Sequence, residues 1–227
     1  MVFRMIQELF TNPLSFLFWL VALVIAITVH EFAHAYSADR LGDPTPRLMG
    51  RLTLDPRAHL DPLGTLMILI ARFGWGKPVQ FDPFNLQNPR RDSAIISIAG
   101  PLSNIITAVI ASVILRIIVQ YKLMFLGNAG GAILATLLSG LLQPIIILNV
   151  VLAVFNIVPI HPLDGFKIVG GILPEEYARQ WYELESYGMI FLIFMIFPIF
   201  GSSPIQTLIS PPINLLLSLL LPVAQII

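Results

Sequence analysis

Three stretches of this chain, residues 14–36, 92–121 and 131–158, each run for more than twenty residues with at most two charged side chains. A backbone crossing a bilayer must satisfy its own hydrogen bonds, and a helix does so over roughly 20 apolar residues at about 1.5 Å each. These runs predict membrane-spanning helices. A further span is expected at about 187–200. A last one at 205–227 is broken by Pro211, Pro212 and Pro222. The fold class is therefore an all-α polytopic membrane protein of about five to six transmembrane helices. Composition agrees: apolar residues make up 56% and charged residues 11%, against about 25% charged in ordinary globular chains. Thirteen acidic and thirteen basic residues are too few to coat a soluble exterior. Disordered proteins, nucleic-acid-binding modules and most soluble enzymes are excluded. The lipid bilayer is the expected surroundings. Residues 1–227 read as a single membrane-embedded domain, with a core over about 14–170 and C-terminal helices over about 174–227.

The first run has no small-residue cleavage site after it and reads as a retained helix, not a signal peptide. Residues 63–70, bounded by Asp61 and Arg72, are too short to cross. Arg40, Arg47, Arg51, Arg57, Arg72, Lys77, Arg90 and Arg91 fall between the first two long runs. The positive-inside rule places this connection in the cytoplasm, so 63–70 must re-enter or lie in the interface. A cell (inner) membrane location follows, with the N-terminus outside. Within the connection, 47–54 alternates imperfectly and predicts a strand, while Phe73–Phe81 has the turn formers of a small β-hairpin. The Gly42-Asp43-Pro44 turn and the Gly74–Gly76 loop are candidate hinges.

Residues 30–34 read His-Glu-Phe-Ala-His. On a helix, positions i and i+4 lie about 40° apart around the axis and about 6 Å along it. Two imidazoles so placed reach one ion, and the carboxylate beside the first reaches a water at that ion. This is the zinc-hydrolase signature, with His30 and His34 as ligands and Glu31 as general base. Counting from Leu14, His30 lies about 24 Å into a hydrocarbon core of about 30 Å. Ionisable groups at such depth are costly and functional by default. The competing reading is a polar helix face packed inside a bundle, or a proton path including Thr28.

A catalytic zinc needs a third protein donor. The chain has no cysteine, so the donor is Asp, Glu or His. The third long run ends in Asn156-Ile-Val-Pro-Ile-His-Pro-Leu-Asp-Gly165. Pro159 and Pro162 cannot continue a regular helix, so the backbone unwinds and aims Asp164 inward. Asp164 also suits the N-cap of a short helix over 165–171.

Taken together, these motifs resemble the site-2 protease family of intramembrane zinc metalloproteases. Ala99-Gly100-Pro101-Leu102-Ser103-Asn104 is similar to that family's Gly-Pro-x-x-Asn segment. His59-Leu-Asp61-Pro62-Leu63-Gly64 and Gly74-Trp75-Gly76-Lys77-Pro78-Val79 resemble compact bacterial and archaeal members that lack PDZ-like or CBS-like insertions. The resemblance covers about residues 14–170. It implies one zinc per chain on His30, His34 and Asp164, with Glu31 as base and Asn104 and Asn156 near the site. Asn104 is expected either to hold the scissile backbone or oxyanion, or to repair the helix at Pro101; Asn156 is expected there as a catalytic or structural neighbour. The implied substrate is a transmembrane protein. His161 stands where the family often has proline, as a donor beside the ligands, a proton shuttle, a competing ligand or a wetted substitution. His59 is expected to brace the Asp61–Pro62 turn. An edge strand at 47–54 is expected to hold an extended substrate by β-augmentation.

Other functions remain to be weighed. A different membrane metallopeptidase would take its third ligand from Glu175, Glu176, Glu183 or Glu185. An ion or proton transporter would use His30, Glu31, His34 and Asp164 as a relay, although no inverted internal repeat is visible. A non-catalytic relative would have no need of Glu31.

Overall fold

A computed structural model of the chain describes residues 11–64, 67, 75–125, 129–198 and 203–222, without the side chains of 122–125 and 129. Its helices are α1 (Pro13–Arg40), α2 (Thr45–Leu48), α3 (Pro89–Phe125), α4 (Ala129–Ile157), α5 (Asp164–Ile172), α6 (Glu175–Glu183), α7 (Glu185–Ile196) and α8 (Pro204–Leu220). The Asn12 side chain accepts from Ser15 N and starts α1, with proline in its first turn, where the missing N–H has no cost.

Among the described residues, three helices, α1, α3 and α4, are long and apolar enough to cross a membrane. They pack as one bundle around Ala22, Ala108, Ala111, Leu115, Ile145, Ile146 and Val150. The alanines matter because lipid gives helices little hydrophobic reason to associate. Small residues let the backbones approach and gain dispersion contact. Ile106, Ile110, Ile114 and Ile117 line the opposite, exposed side of α3, as a lipid-facing surface requires.

Of the expected five to six spans, those at 14–36, 92–121 and 131–158 coincide with these three helices. Among the described residues, α7 has 12 residues and α8 has 17, about 18 and 26 Å, short of a hydrocarbon core of about 30 Å. Pro198 follows the end of α7 and halts it. Helix α8 is tied to the bundle instead. The Ser112 hydroxyl donates to the Leu220 carbonyl, and Arg116 Nη2 donates to the Leu219 carbonyl at 2.6 Å. These bonds satisfy carbonyls that a helix end leaves free. Of the expected re-entrant run, only Leu63, Gly64 and Met67 are among the described residues.

The predicted strand at 47–54 is also overturned. Thr45–Leu48 is a helical turn, because Pro46 sits in its first positions and the Asp43 carboxylate accepts from Thr45 N and Oγ1. The turn ends at Gly50, whose φ of +68° lies in the left-handed region open to glycine. The edge-strand route for substrate falls with it. Nor does a hairpin form over the described part of 73–81, where 73 and 74 lie outside the described residues. The only β pairing among the described residues is a single antiparallel bridge from Gly76 to Leu60, with Lys77 N donating to the His59 carbonyl at 2.8 Å.

Two buried charges hold this connection together. Arg51 is 3% exposed and donates to the carbonyls of Ala58 and, at 3.1 Å, Lys77. Asp43, fully buried, accepts from Thr45, from Asp82 N at 2.7 Å and from Asn85 Nδ2 at 2.8 Å. The Gly42–Pro44 turn is therefore a pinned corner, not the expected hinge. Burial works to raise the Asp43 carboxyl. The hydrogen bonds from Thr45, Asn85 and the Asp82 backbone outweigh it and hold the group below the ordinary carboxylate range.

Replacing Asp43 with alanine strands these donors and is expected to cost about 1–3 kcal/mol, read as a lower unfolding midpoint in detergent. Because the folded value is depressed, the contribution of Asp43 is complete above the unfolded carboxyl's 3.8. It declines as pH falls from there through the folded value. Acid sensitivity in that window is expected to be weaker in Asp43→Ala than in the parent chain.

Candidate metal centre

The His-Glu-x-x-His segment lies in the C-terminal half of α1, where His30 and His34 are 5% and 8% exposed. The third donor arrives from the far side of the bundle. After Ile157 the chain leaves the helix for six residues, as Pro159 and Pro162 require, and α5 begins at Asp164. Leu163, not Asp164, occupies the N-cap position, and no side chain caps the helix. The expected capping role is corrected: the carboxylate is free for another partner. Gly165 permits this arrangement, since a Cβ there would strike the Ile157 carbonyl.

Three ligand atoms converge. His30 Nε2 and His34 Nε2 are 3.0 Å apart, and Asp164 Oδ2 is 3.2 Å from the first and 3.3 Å from the second. No other group of three or more potential ligands converges among the described residues. The far nitrogen of each imidazole fixes the tautomer. His34 Nδ1 lies 2.7 Å from the Ile96 carbonyl, which only accepts, so Nδ1 carries the proton. His30 Nδ1 lies 2.6 Å from Asn104 Oδ1. The Asn104 amide is oriented by its own nitrogen, which donates to the Ala26 carbonyl at 3.0 Å and to Asn149 Oδ1 at 2.8 Å. With each Nδ1 held by its acceptor, both rings turn Nε2 toward the same point, where Asp164 Oδ2 is buried.

Lone pairs this close repel unless a cation lies among them. Donors about 2.0–2.1 Å from a tetrahedral zinc sit about 3.3 Å from one another, the spacing found here. Three protein donors leave one position open, the pattern of a catalytic zinc. Gly100 shapes the wall beside them. A Cβ there would come within 2.6 Å of His34 Cε1 and 2.7 Å of His30 Cε1, so only hydrogen fits against the rings.

Glu31 lies on the neighbouring face of α1. Its Oε2 accepts from Val79 N at 2.9 Å, which ties it to the extended segment after the Gly76 bridge. Of the asparagines, Asn104 is drawn into the centre through His30, and both of its N–H groups are spent on Ala26 and Asn149, leaving none for a substrate. Asn156 is not brought in: its Nδ2 donates to Leu152 O one turn back in its own helix. His161 stays outside the cluster, 3.5 Å from Glu185 and edge-on to Phe166, so it does not compete as a ligand. His59 Nε2 donates to the Thr53 carbonyl and braces that loop instead of the Asp61 turn. Glu175, Glu176, Glu183 and Glu185 are exposed and stand apart from the cluster. Sequence reasoning missed Asn149 and the Val79 N–H. Asn149 had a signal, an amide deep in an uncharged apolar run; a backbone donor has none.

A model of peptidase family M50 matches residues 18–198. The chain belongs to peptidase family M50. Among its relatives, the M50 chain is 41% identical over 192 residues to "Putative zinc metalloprotease YwhC" of Bacillus subtilis (strain 168), covering 82% of this chain and 84% of that protein. It is 32% identical over 181 residues to "Putative zinc metalloprotease Rip2" of Mycobacterium tuberculosis (strain H37Rv), covering 77% of this chain and 63% of that one. With "Zinc metalloprotease MJ0392" of Methanocaldococcus jannaschii it shares 26% identity over 165 residues, 71% of this chain and 37% of the other. No solved structure matches it significantly.

Substituting Gly100 with alanine is expected to push the two imidazoles apart and lower zinc affinity by at least about tenfold, with the helical content retained. Chelator competition on the purified protein, beside its circular dichroism spectrum, measures both.

Proposed function

We propose that this M50 protein is an intramembrane zinc metalloendopeptidase that hydrolyses peptide bonds within or near the transmembrane segments of membrane-protein substrates. The observation that carries the reading is the convergence of His30 Nε2, His34 Nε2 and Asp164 Oδ2 within 3.3 Å, with both ring protons held on the far side. Family membership speaks for the peptidase over a proton relay.

His30, His34 and Asp164 hold the ion. Zinc, when bound, supplies a Lewis acid that polarises a carbonyl and brings the pKa of water toward 7. Glu31 takes the proton of the attacking water and returns it to the leaving amine. The Val79 N–H occupies Oε2, so Oε1 is the oxygen left for that transfer. Asn104 orients His30, and Asn156 serves the end of its own helix. The basic connection between α1 and α3 lies on the cytoplasmic side of the inner membrane and admits water to the centre from there. Helices α7 and α8 complete a single membrane domain beside α4.

The test is zinc content together with cleavage of a model transmembrane substrate by purified protein. Wild type is expected to carry about one zinc and to cleave. Glu31→Gln keeps the zinc and loses about 10²–10⁴-fold in turnover. His34→Ala and Asp164→Ala lose both. A zinc-free, inactive wild type would overturn the reading.

A further inference from the structure

We infer that Asn149 is a positioning residue for the metal centre, acting through Asn104 to fix which nitrogen of His30 carries the proton. This rests on the reading that the three donors hold zinc. Asn149 lies in α4, has no exposed surface, and touches none of the three ligands through a hydrogen bond. Buried amides in an apolar span are costly unless bonded, and this one is bonded in a directed chain.

The chain of bonds has one polarity. Asn149 Nδ2 donates to the Ile145 carbonyl at 2.8 Å. That carbonyl can only accept, so Asn149 must turn its Oδ1 toward Asn104. Asn104 must then offer its nitrogen to Asn149 and its oxygen to His30. His30 must place its proton on Nδ1 and its lone pair on Nε2. Each link is forced by the one before it.

Flipping the Asn104 amide shows what the chain prevents. The flipped form aims Oδ1 at two acceptors, Ala26 O and Asn149 Oδ1, and presents N–H groups to His30 Nδ1. The imidazole proton would then move to Nε2, where it blocks the ion. Ala26 O opposes the flip by itself, and Asn149 adds the second opposing acceptor. Such outer partners of a ligating histidine fix its tautomer and orientation, and their loss typically costs about 10–100-fold in affinity or activity.

The experiment is zinc affinity by chelator competition on monodisperse full-length protein. Asn149→Leu removes the acceptor and is expected to weaken zinc about tenfold. Asn149→Asp restores affinity close to wild type, because a buried, protonated carboxyl accepts from Asn104 and donates to Ile145 O in the same geometry. In an Asn104→Leu background the Asn149→Leu effect is expected to vanish, since the link it acts through is gone. If the leucine variant is not recovered folded, Asn149→Thr, too short to reach Asn104, is expected to show the same loss. Wild-type affinity in the leucine or threonine variant, or an undiminished effect in the Asn104→Leu background, overturns the inference. So does an aspartate variant as weak as the leucine one. In each of those cases wild type still binds zinc and the peptidase reading stands; a wild type without zinc would remove that reading instead.

Discussion

Two imidazole nitrogens and a carboxylate oxygen held within 3.3 Å of one another form an arrangement that a cation bound among them stabilises. Much of the surrounding structure keeps that arrangement in place. The ring protons must stay on the outer nitrogens, so each outer nitrogen needs an acceptor inside the bundle. The Ile96 carbonyl serves His34 and the Asn104 amide serves His30. The amide in turn needs Ala26 and Asn149. All of these lie on α1, α3 and α4, the three bilayer-length helices. The polar chain therefore also fixes how those helices sit against one another, which apolar contact in lipid does weakly.

Close approach is the second requirement. Alanines at 22, 108 and 111 line the shared interface, and Gly100 gives the rings a wall without a side chain. Helix α4 cannot deliver Asp164 by running on, because a straight helix would carry the carboxylate past the site. Pro159 and Pro162 stop it, the chain turns, and Gly165 lets α5 start against the end of α4. The carboxylate then sits in the first turn of a helix, where the exposed N–H groups favour negative charge.

How much of this was legible in the sequence follows from the range of each signal. The i, i+4 histidines, the long apolar runs and the proline break are local, and each survived folding at its expected position. His30, His34 and Asp164 meet as their motifs imply. The strand expected at 47–54 failed because alternation is a weak signal over eight residues. Pro46 and the Asp43 carboxylate, which accepts from Thr45, impose a helical turn there. The span expected at 187–200 is matched among the described residues by α7, which ends at Ile196, because hydropathy sees apolar length but not where a helix stops. Asn149 was legible only as an anomaly, since its meaning depends on Asn104, 45 residues away.

The Val79 contact bears on the order of events at the site. A carboxylate has two oxygens, and one of those on Glu31 is occupied by a backbone N–H from an extended segment. That segment is not free to drift. Lys77 N is bonded to His59 O, the Lys77 carbonyl accepts from Arg51, and a Cβ on Gly76 would meet Ile27 and the His59 carbonyl. Arg51 is a buried guanidinium that donates to the backbone carbonyls of Ala58, Lys77 and Pro78. Its burial is compensated only while the two loops stay together. Glu31 is therefore oriented by a loop that a buried guanidinium holds in place. Displacing that segment would undo the orientation of Glu31 and strand Arg51 at once.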